Sequence, residues 1–263
     1  MQNFGNVVIG GIRTSRMSRQ ALAGMMAGAS SATAADGPPR LAFDLNGQGL
    51  AMSVWNEDYR SNLLMADLVH ADGQPLVIAS RILTGTPIAE RSATTDMFHD
   101  LAAVAQQSGR SFYLLGGSEE VNRDCARKLQ DLYPALRIAG RRDGFFSRAE
   151  EPAICAEINA SGADIIWVGL GKPNEQAFCV RNRPLLRAGW MITCGGCFNF
   201  VAGTYRRAPQ WMQDAGLEWI FRMATRPRQL AWRYLTTSPL AFLLLLLRTH
   251  ECSPTAQRQT HAR

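Results

Sequence analysis

A run of four apolar residues at positions 165–168 constrains the fold more than any other part of the sequence. The run is β-branched and aromatic and does not alternate with polar residues, which is typical of a strand buried on both faces of a helix-covered parallel sheet. Gly169, Gly171, Lys172 and Pro173 follow. Proline suits the first turn of a helix, because an N–H there has no helical partner. The stretch predicts a strand, a glycine turn and the start of a helix.

This predicted turn has two interpretations. Free N–H groups and the positive end of a helix dipole attract anions, and Lys172 would add a cation, so the turn suits a phosphate group. It is equally compatible with an ordinary connection between a strand and a helix that carries a surface lysine. The stretch by itself leaves both interpretations open.

Other parts of the chain alternate between strand and helix patterns. Strands are predicted at residues 7–9, with a turn to residue 12, and at residues 40–43, 111–115, 137–139 and 190–194. Helical patterns occupy residues 17–26, 55–68, 95–107, 118–132 and 150–161, with Ser18 and Ser118 as N-caps, while residues 75–83 fit a strand or a buried helix. Strands separated by helices predict an α/β fold, a Rossmann-like, mostly parallel sheet covered by helices.

The charge balance is mildly basic, with 28 Lys and Arg against 22 Asp and Glu and a net charge of +6. Such a balance suits anionic small molecules, anionic lipid surfaces or nucleic acid. Nucleic acid is not expected as a partner, because no zinc-finger, RNP-like or basic-zipper pattern is present. We expect no transmembrane helix, since no apolar stretch approaches roughly 20 residues. Residues 7–9 are also too short for the apolar core of a signal peptide.

The six cysteines lie mostly in apolar or helical contexts, which is typical of reduced thiols in a cytosolic protein. Cys194 and Cys197 form a lone CxxC motif without a second pair or nearby histidines. A zinc site or a redox pair is therefore not expected, and the simpler prediction is two buried small residues. No metal or other cofactor is predicted.

The composition changes after residue 203, which divides the chain into a predicted α/β catalytic domain (1–203), a basic and aromatic C-terminal appendage (204–250) and a disordered tail (251–263). The appendage combines arginine with aromatic residues and ends in the apolar run 240–247. Such a segment suits a membrane interface. The alternative is a pair of helices packed on the sheet with a solvated basic face.

Three polar residues in the first half are candidates for chemistry. Asp72 lies in an Asp-Gly turn, where it serves either turn formation or general base catalysis. His70 is a weaker candidate, expected to be exposed or locally bonded. Arg91 could hold a diphosphate through two parallel hydrogen bonds, or could pair with Glu90 or Asp96.

The order of short motifs resembles that of the bacterial WecG/TagA/CpsF glycosyltransferases, glycosyltransferase family 26, from about residue 7 to residue 234. No single motif is specific, but the ordered set is. The motifs are Ala66-Asp67-Leu68, Ala71-Asp72-Gly73, Glu90-Arg91 with Asp96, Leu114-Leu115-Gly116-Gly117, Asp143-Gly144-Phe145-Phe146, Val168-Gly169-Leu170-Gly171-Lys172-Pro173, Gly195-Gly196-Cys197-Phe198, Ala202-Gly203, Arg207-Ala208-Pro209 and Leu217-Glu218-Trp219. Residues 43–49, Phe-Asp-Leu-Asn-Gly-Gln-Gly, resemble the branch that assembles xanthan-type exopolysaccharides.

This resemblance implies an inverting, metal-independent transfer of glucose from UDP-glucose to glucosyl-diphosphate-undecaprenol, giving a β-1,4-linked cellobiosyl lipid in exopolysaccharide biosynthesis. It implies a peripheral enzyme on the cytoplasmic face of the inner membrane, near other exopolysaccharide glycosyltransferases. The family's proposed base aligns with Asp72 and a family arginine with Arg91. The arginines expected to meet the lipid diphosphate are those of the appendage: Arg222, Arg226, Arg228 and Arg233.

Several positions depart from the family pattern. Asp44 stands in a segment that reads Thr-x-Asn in many relatives, so it competes with Asp72 for the role of base. Residues 173–176 and Asn199 also differ, which could retune sugar recognition. The expected substrate-binding residues outside the appendage are Asn46, Gly169, Gly171, Lys172, Glu175, Gln176 and Asn199. The alternatives are transfer of N-acetylmannosamine from its UDP derivative, a nicotinamide-dependent oxidoreductase, or a non-catalytic lipid-binding assembly subunit.

Overall fold

The computed structural model describes residues 5–28, 37–214, 217–225 and 227–252. A six-stranded parallel sheet forms its centre, in the order β4-β3-β8-β7-β5-β6. Its strands are β3 (Arg40–Leu45), β4 (Leu68–Ala71), β5 (Ser111–Gly116), β6 (Arg137–Arg142), β7 (Ile165–Gly169) and β8 (Trp190–Thr193). The predicted α/β class and parallel sheet are confirmed.

Twelve α-helices belong to the described residues. They are α1 (Arg19–Gly28), α2 (Gly47–Trp55), α3 (Glu57–Leu64), α4 (Gln74–Leu83), α5 (Thr94–Ser108), α6 (Glu119–Leu132), α7 (Glu151–Ser161), α8 (Asn174–Asn182), α9 (Cys197–Ala202), α10 (Gln210–Asp214), α11 (Glu218–Thr225) and α12 (Pro227–Leu247). The hydroxyl groups of Ser18 and Ser118 cap α1 and α6, as predicted, by accepting from the backbone N–H groups of Ala21 and Val121.

Strand β7, which contains the apolar run at residues 165–168, is buried on both faces. Ile166 and Val168 point into a core that α2, α7 and α8 help to form, while Ile165 and Trp167 point into a second core on the opposite face. In the second core, the Trp167 ring packs edge-on against Phe98 of α5, with 4.5 Å between the ring centroids. Two-sided burial explains why the sequence of this strand does not alternate.

The structure divides the segment predicted to be helical at residues 55–68. Asn56 ends α2 through its N–H, which donates to Met52 O, and starts α3 through its side chain, which accepts from Tyr59 N. The preceding helix α2 was not predicted, and β4 begins at Leu68. The ambiguous segment 75–83 belongs to a helix, α4.

The first predicted strand and turn form a hairpin outside the main sheet. Strands β1 (Asn6–Ile9) and β2 (Ile12–Ser15) pair antiparallel, and Gly10 and Gly11 make the turn with φ of 58° and 85°. These positive φ angles suit glycine at both central positions of a two-residue hairpin turn. A short strand β9 (His250–Glu251) pairs with the other edge of β1.

The C-terminal segment is therefore attached to the rest of the protein at the C-terminal end of its described part. Helix α12 packs against α2 and buries Ala241, Leu244 and Leu245, and the Gly11 N–H then donates to Arg248 O at 2.7 Å. The predicted tail would begin at residue 251, but Glu251 belongs to β9, and residues 253–263 lie outside the described part. Among the described helices, none is both long and apolar enough to cross a membrane.

Candidate active site

A cavity of about 830 Å³ opens where β3, β4, β7 and β8 end at their carboxyl edge. This is the edge at which open parallel sheets bind their ligands. The floor carries polar and charged side chains from the strand ends and the connections that follow them, including Asp44, Asp72, Lys172 and Glu175. The first turns of α2, α4 and α5 also line it, through Gly47, Gln74 and Thr95, so that the positive ends of three helix dipoles meet there.

Asp44, at the end of β3, forms a buried ion pair with Lys172, which follows β7. The second carboxylate oxygen of Asp44 accepts from the Thr193 hydroxyl group at 2.9 Å. Lys172 Nζ also lies 3.7 Å from Glu175 Oε1. Thr193 belongs to β8, which separates β3 from β7, so the three strand ends are connected by these polar contacts.

Burial and charge set the protonation of this group. Burial by itself would lower the pKa of Lys172, but the carboxylates of Asp44 and Glu175 outweigh that effect and raise it. Burial raises the pKa of Glu175 to about 7, although Lys172 opposes the shift. Lys172 is therefore charged at neutral pH, and Glu175 exchanges its proton near neutrality.

Asp72 follows β4 and lies in the cavity beside the end of β3. Its N–H donates to Leu45 O at 2.8 Å. Its carboxylate accepts from Thr94 N at 2.8 Å and from Asn46 Nδ2 at 3.2 Å. Burial raises the pKa of Asp72, but these hydrogen bonds and Lys172 lower it more, so the net shift is downward. Asp72 is thus an ionised carboxylate, held in a fixed orientation at the cavity floor.

The predicted phosphate-binding turn has a different role in the structure. Oε2 of Glu175 accepts from the N–H groups of Gly171 and Gly195, at 3.1 and 2.9 Å. An internal carboxylate therefore occupies the place expected for a phosphate, and Lys172 is buried rather than on the surface. The expectation of a surface lysine is therefore wrong, whereas phosphate binding at this turn stays a prediction. Gly171, Lys172 and Glu175, which were expected to bind substrate, all line the cavity.

Gly169 lies beneath the turn and is not part of the cavity lining. A Cβ atom on Gly169 would lie 3.1 Å from Gly195 O and from the Phe198 ring, so its lack of a side chain permits close packing. Gln176 is fully buried, with its amide nitrogen 3.3 Å from Glu175 Oε1, and it also lies outside the lining.

Two other predicted binding residues differ in position. Asn46 lines the cavity, where it caps α2 by accepting from Gly49 N and donates to Asp72. Asn199 lies outside the lining, and its carbonyl groups accept from the Thr204 hydroxyl group. The structure thus brings Asn46 to the site and leaves Asn199 within α9, outside the cavity lining.

Arg91 lines the cavity but is held by carboxylates. Its Nη1 donates to Glu218 Oε2 at 3.0 Å, and its Nη2 lies 3.9 Å from Asp96. Of the two predicted partners of Arg91, Asp96 is therefore in long ion-pair contact. Glu90 instead accepts from the backbone N–H of Arg19. Arg207, which was not predicted as a site residue, also lines the cavity and forms an ion pair with Asp96.

The C-terminal segment forms the opposite, largely apolar wall of the cavity. Its lining side chains include Trp219 and Met223 of α11 and Leu235, Phe242 and Leu245 of α12. The site therefore has a polar floor from the sheet and an apolar wall from the segment. Such a combination suits a ligand that carries both polar groups and a hydrocarbon chain.

The four arginines predicted in this segment are not equivalent. Arg222 lines the cavity, and its guanidinium group lies over the Phe200 ring, 5.3 Å from the centroid. Arg228 is exposed and is not part of the lining. Arg226 lies outside the described residues, as does the side chain of Arg233.

The remaining candidates from the sequence are buried. His70 is fully buried rather than exposed, and its Nδ1 donates to Ser92 O at 3.0 Å; burial lowers its pKa.

Cys194 and Cys197 are buried free thiols at the cavity edge, in agreement with the prediction of two buried small residues, and burial raises the pKa of each. Within the described part of the chain, no group of three or more His, Cys, Asp or Glu side chains is arranged to hold a metal ion.

Two curated relatives are similar over most of the chain. One is the N-acetylglucosaminyldiphosphoundecaprenol N-acetyl-beta-D-mannosaminyltransferase of Bacillus subtilis (strain 168), 29% identical over 194 residues that cover 74% of this chain and 74% of the relative. The other, which has the same name, comes from Bacillus spizizenii (strain ATCC 23059 / NRRL B-14472 / W23). It is 30% identical over 187 residues, 71% of each chain.

The family model described as "Glycosyl transferase WecG/TagA/CpsF family" matches residues 7–253. The match includes the sheet, the cavity floor and the C-terminal segment that forms the apolar wall. It extends beyond residue 234, where the resemblance of the sequence motifs ended. The chain therefore belongs to the WecG/TagA/CpsF family and is a glycosyltransferase.

Proposed function

We propose that this glycosyltransferase moves glucose from UDP-glucose to glucosyl-diphosphate-undecaprenol, with inversion, during assembly of a xanthan-like exopolysaccharide. One observation carries the proposal: two carboxylates, Asp44 and Asp72, line a cavity whose opposite wall is apolar. An acceptor with a sugar, a diphosphate and a polyprenyl chain matches this division of polar and apolar surface. The Phe-Asp-Leu-Asn-Gly-Gln-Gly segment at residues 43–49 supports the choice of glucose.

Asp72 is the general base of the proposed reaction. The acceptor hydroxyl group attacks the anomeric carbon of the donor, its proton passes to Asp72, and the bond to the UDP oxygen breaks on the opposite face. Asp72 is more suitable than Asp44 for this role, because Lys172 already neutralises Asp44 within a buried ion pair. Asp44, which accepts from the buried Thr193 hydroxyl group, then positions Lys172 and accepts from a sugar hydroxyl group at the floor.

The leaving diphosphate gains charge during this step and has to be stabilised. Helix N-termini bind such anions through free N–H groups and the helix dipole. The first turns of α2, α4 and α5 line the cavity, and Arg91 and Arg222 add guanidinium groups. Preorganised donors of this kind commonly supply the largest single part of catalysis. In this proposal they perform the role without a metal ion.

The proposed location is the cytoplasmic face of the inner membrane, where the enzyme binds peripherally. Large apolar side chains of the C-terminal segment are exposed, including Trp211, Trp232, Leu235, Phe242 and Leu247, and two of them, Leu235 and Phe242, also line the cavity. Together with Arg228 they form a surface that suits the interface of an anionic bilayer. Other exopolysaccharide glycosyltransferases at the same membrane are proposed neighbours.

Transfer of N-acetylmannosamine from its UDP derivative is the second candidate, because both curated relatives are named for transfer of this sugar to an N-acetylglucosaminyl lipid. A crossed assay separates the two. Radiolabelled UDP-glucose and UDP-N-acetylmannosamine are each offered with synthetic glucosyl- and N-acetylglucosaminyl-diphosphate lipids, with and without EDTA.

We expect transfer of glucose to the glucosyl lipid at a rate that EDTA does not change. Transfer of N-acetylmannosamine alone would replace the proposed donor, and loss of activity in EDTA would contradict metal independence. If the protein binds liposomes but transfers neither sugar to either lipid, the non-catalytic alternative is favoured.

A further inference from the structure

Two arginines of the cavity share one carboxylate that comes from the C-terminal segment. Arg91 Nη1 donates to Glu218 Oε2 at 3.0 Å, and Arg207 Nη2 lies 4.0 Å from the same oxygen. All three residues line the cavity, and the Glu218 side chain is only 14% exposed. A phosphate oxygen bound between two arginines makes the same kind of contacts, because guanidinium groups match carboxylate and phosphate geometry alike.

A carboxylate of the sheet domain also contacts both of these arginines. Asp96, in the first turn of α5, forms an ion pair with Arg207 and lies 3.9 Å from Arg91 Nη2. Arg19 also contacts Asp96, at 2.9 Å. Asp96 therefore contacts both arginines independently of Glu218. If Glu218 moved away, both arginines would still line the cavity, with Asp96 as their shared carboxylate and Gln213 as a further acceptor for Arg207.

We propose that Arg91 and Arg207 are the diphosphate-binding pair of this cavity, and that Glu218 occupies their site until a diphosphate displaces it. The inference rests on the proposed function only in that the substrates carry a diphosphate. Glu218 stands in the first turn of α11, so its displacement moves the helix that supplies Trp219 and Met223 to the apolar wall. Diphosphate binding and rearrangement of that wall are thus a single event.

Binding of two soluble probes, UDP and geranyl diphosphate, tests this proposal by titration calorimetry on the full chain. Glu218→Gln removes the competing charge and keeps the side-chain size, so both probes should bind roughly tenfold more tightly if Glu218 fills the site about nine-tenths of the time. Arg207→Gln should weaken binding at least tenfold, and Arg207→Lys should restore part of it. Glu119→Gln, which removes an exposed ion pair with Arg141, is the matched control and should leave binding unchanged.

The effect of Glu218→Gln on the binding of each probe shows which substrate supplies the diphosphate. Tighter binding of UDP alone assigns the pair to the donor, and tighter binding of geranyl diphosphate alone assigns it to the acceptor. Unchanged or weaker binding of both probes by Glu218→Gln overturns the proposal, since a purely structural ion pair would lower Tm without tightening either probe. Because neither probe requires turnover, tight diphosphate binding without any sugar transfer would overturn the proposed function and keep this site.

Discussion

The ammonium group of Lys172 pairs with the carboxylate of Asp44, although 128 residues separate the two positions in the chain. The pair connects the end of β3 to the connection after β7, across the intervening strand β8. Only 6% of the Lys172 side chain and 5% of the Asp44 side chain are exposed. A buried pair of this kind fixes the geometry of the cavity floor, because either charge left alone would be strongly unfavourable there.

Lys172→Met should therefore lower the free energy of unfolding by about 3–5 kcal/mol, since it leaves Asp44 and Glu175 buried without their cation. Urea denaturation followed by circular dichroism measures this quantity. Arg141→Met breaks an exposed pair with Glu119 and should cost less than about 1 kcal/mol. Equal losses in the two variants would show that the buried pair contributes no more than a surface one.

Asp72→Asn should lower the transfer rate by about 10²- to 10⁴-fold, the range typical for loss of a general base, while the protein remains folded. The amide oxygen of asparagine can still accept from Thr94 N, so the local structure should persist. Radiolabel transfer gives the rate, and thermal melting checks the fold. Asp44→Asn is the companion variant. A parental rate in Asp72→Asn, with a large loss in Asp44→Asn, would assign the base to Asp44.

Glu175 should make stability depend on pH in a direction unusual for a carboxylate. Its pKa is about 7 in the folded protein and about 4.5 when unfolded, so the folded state binds the extra proton between these values. The contribution of Glu175 to stability is therefore present below pH 4.5 and is lost as the pH rises through 7. Relative to Glu175→Gln, the parent should lose stability between pH 5 and pH 8, as measured by urea denaturation.

Glu151→Gln is the control for this series. Glu151 is buried too, but hydrogen bonds from Arg181 and Asn182 outweigh the effect of burial and lower its pKa, so it is ionised throughout that pH range. Its effect on stability should stay constant between pH 5 and pH 8. A flat difference between the parent and Glu175→Gln would contradict the raised pKa.

Membrane binding should depend on exposed side chains of α12 rather than on its whole apolar run. Truncation at residue 239 would remove Ala241, Leu244 and Leu245 from the core, so it would test folding instead. Trp232→Ser combined with Phe242→Ser keeps the core, and should reduce sedimentation with phosphatidylglycerol-containing liposomes at low salt. Leu132→Ser, at an exposed position in α6, should have no effect. Unchanged sedimentation of the double variant would show that these exposed side chains of α12 do not bind the membrane.

Local pattern was sufficient for much of the fold. Burial on both faces requires an unbroken apolar strand, so the apolar run at residues 165–168 was sufficient to predict a strand buried on both faces. The caps at Ser18 and Ser118 were predictable because a serine hydroxyl group accepts from N–H groups in the first turn of the helix that it precedes. The pattern failed at residues 55–68, where Asn56 ends one helix and begins the next. The spacing of apolar residues does not show this break between two helices, because the break depends on the hydrogen bonds of one polar residue, Asn56.

The sequence by itself determined the fold class and the family, since each depends on residues close together or on the order of motifs. It also singled out Asp72 as the candidate base, a role that stays a prediction. Only the tertiary structure decided which charges meet. Glu175 accepts from the Gly171 N–H of the predicted phosphate-binding turn, Lys172 is buried against Asp44, and Glu218 reaches Arg91 from 127 residues away. These contacts depend on strand order and on where the C-terminal segment packs. Charges brought together in a poorly solvated cavity interact strongly whatever their separation along the chain.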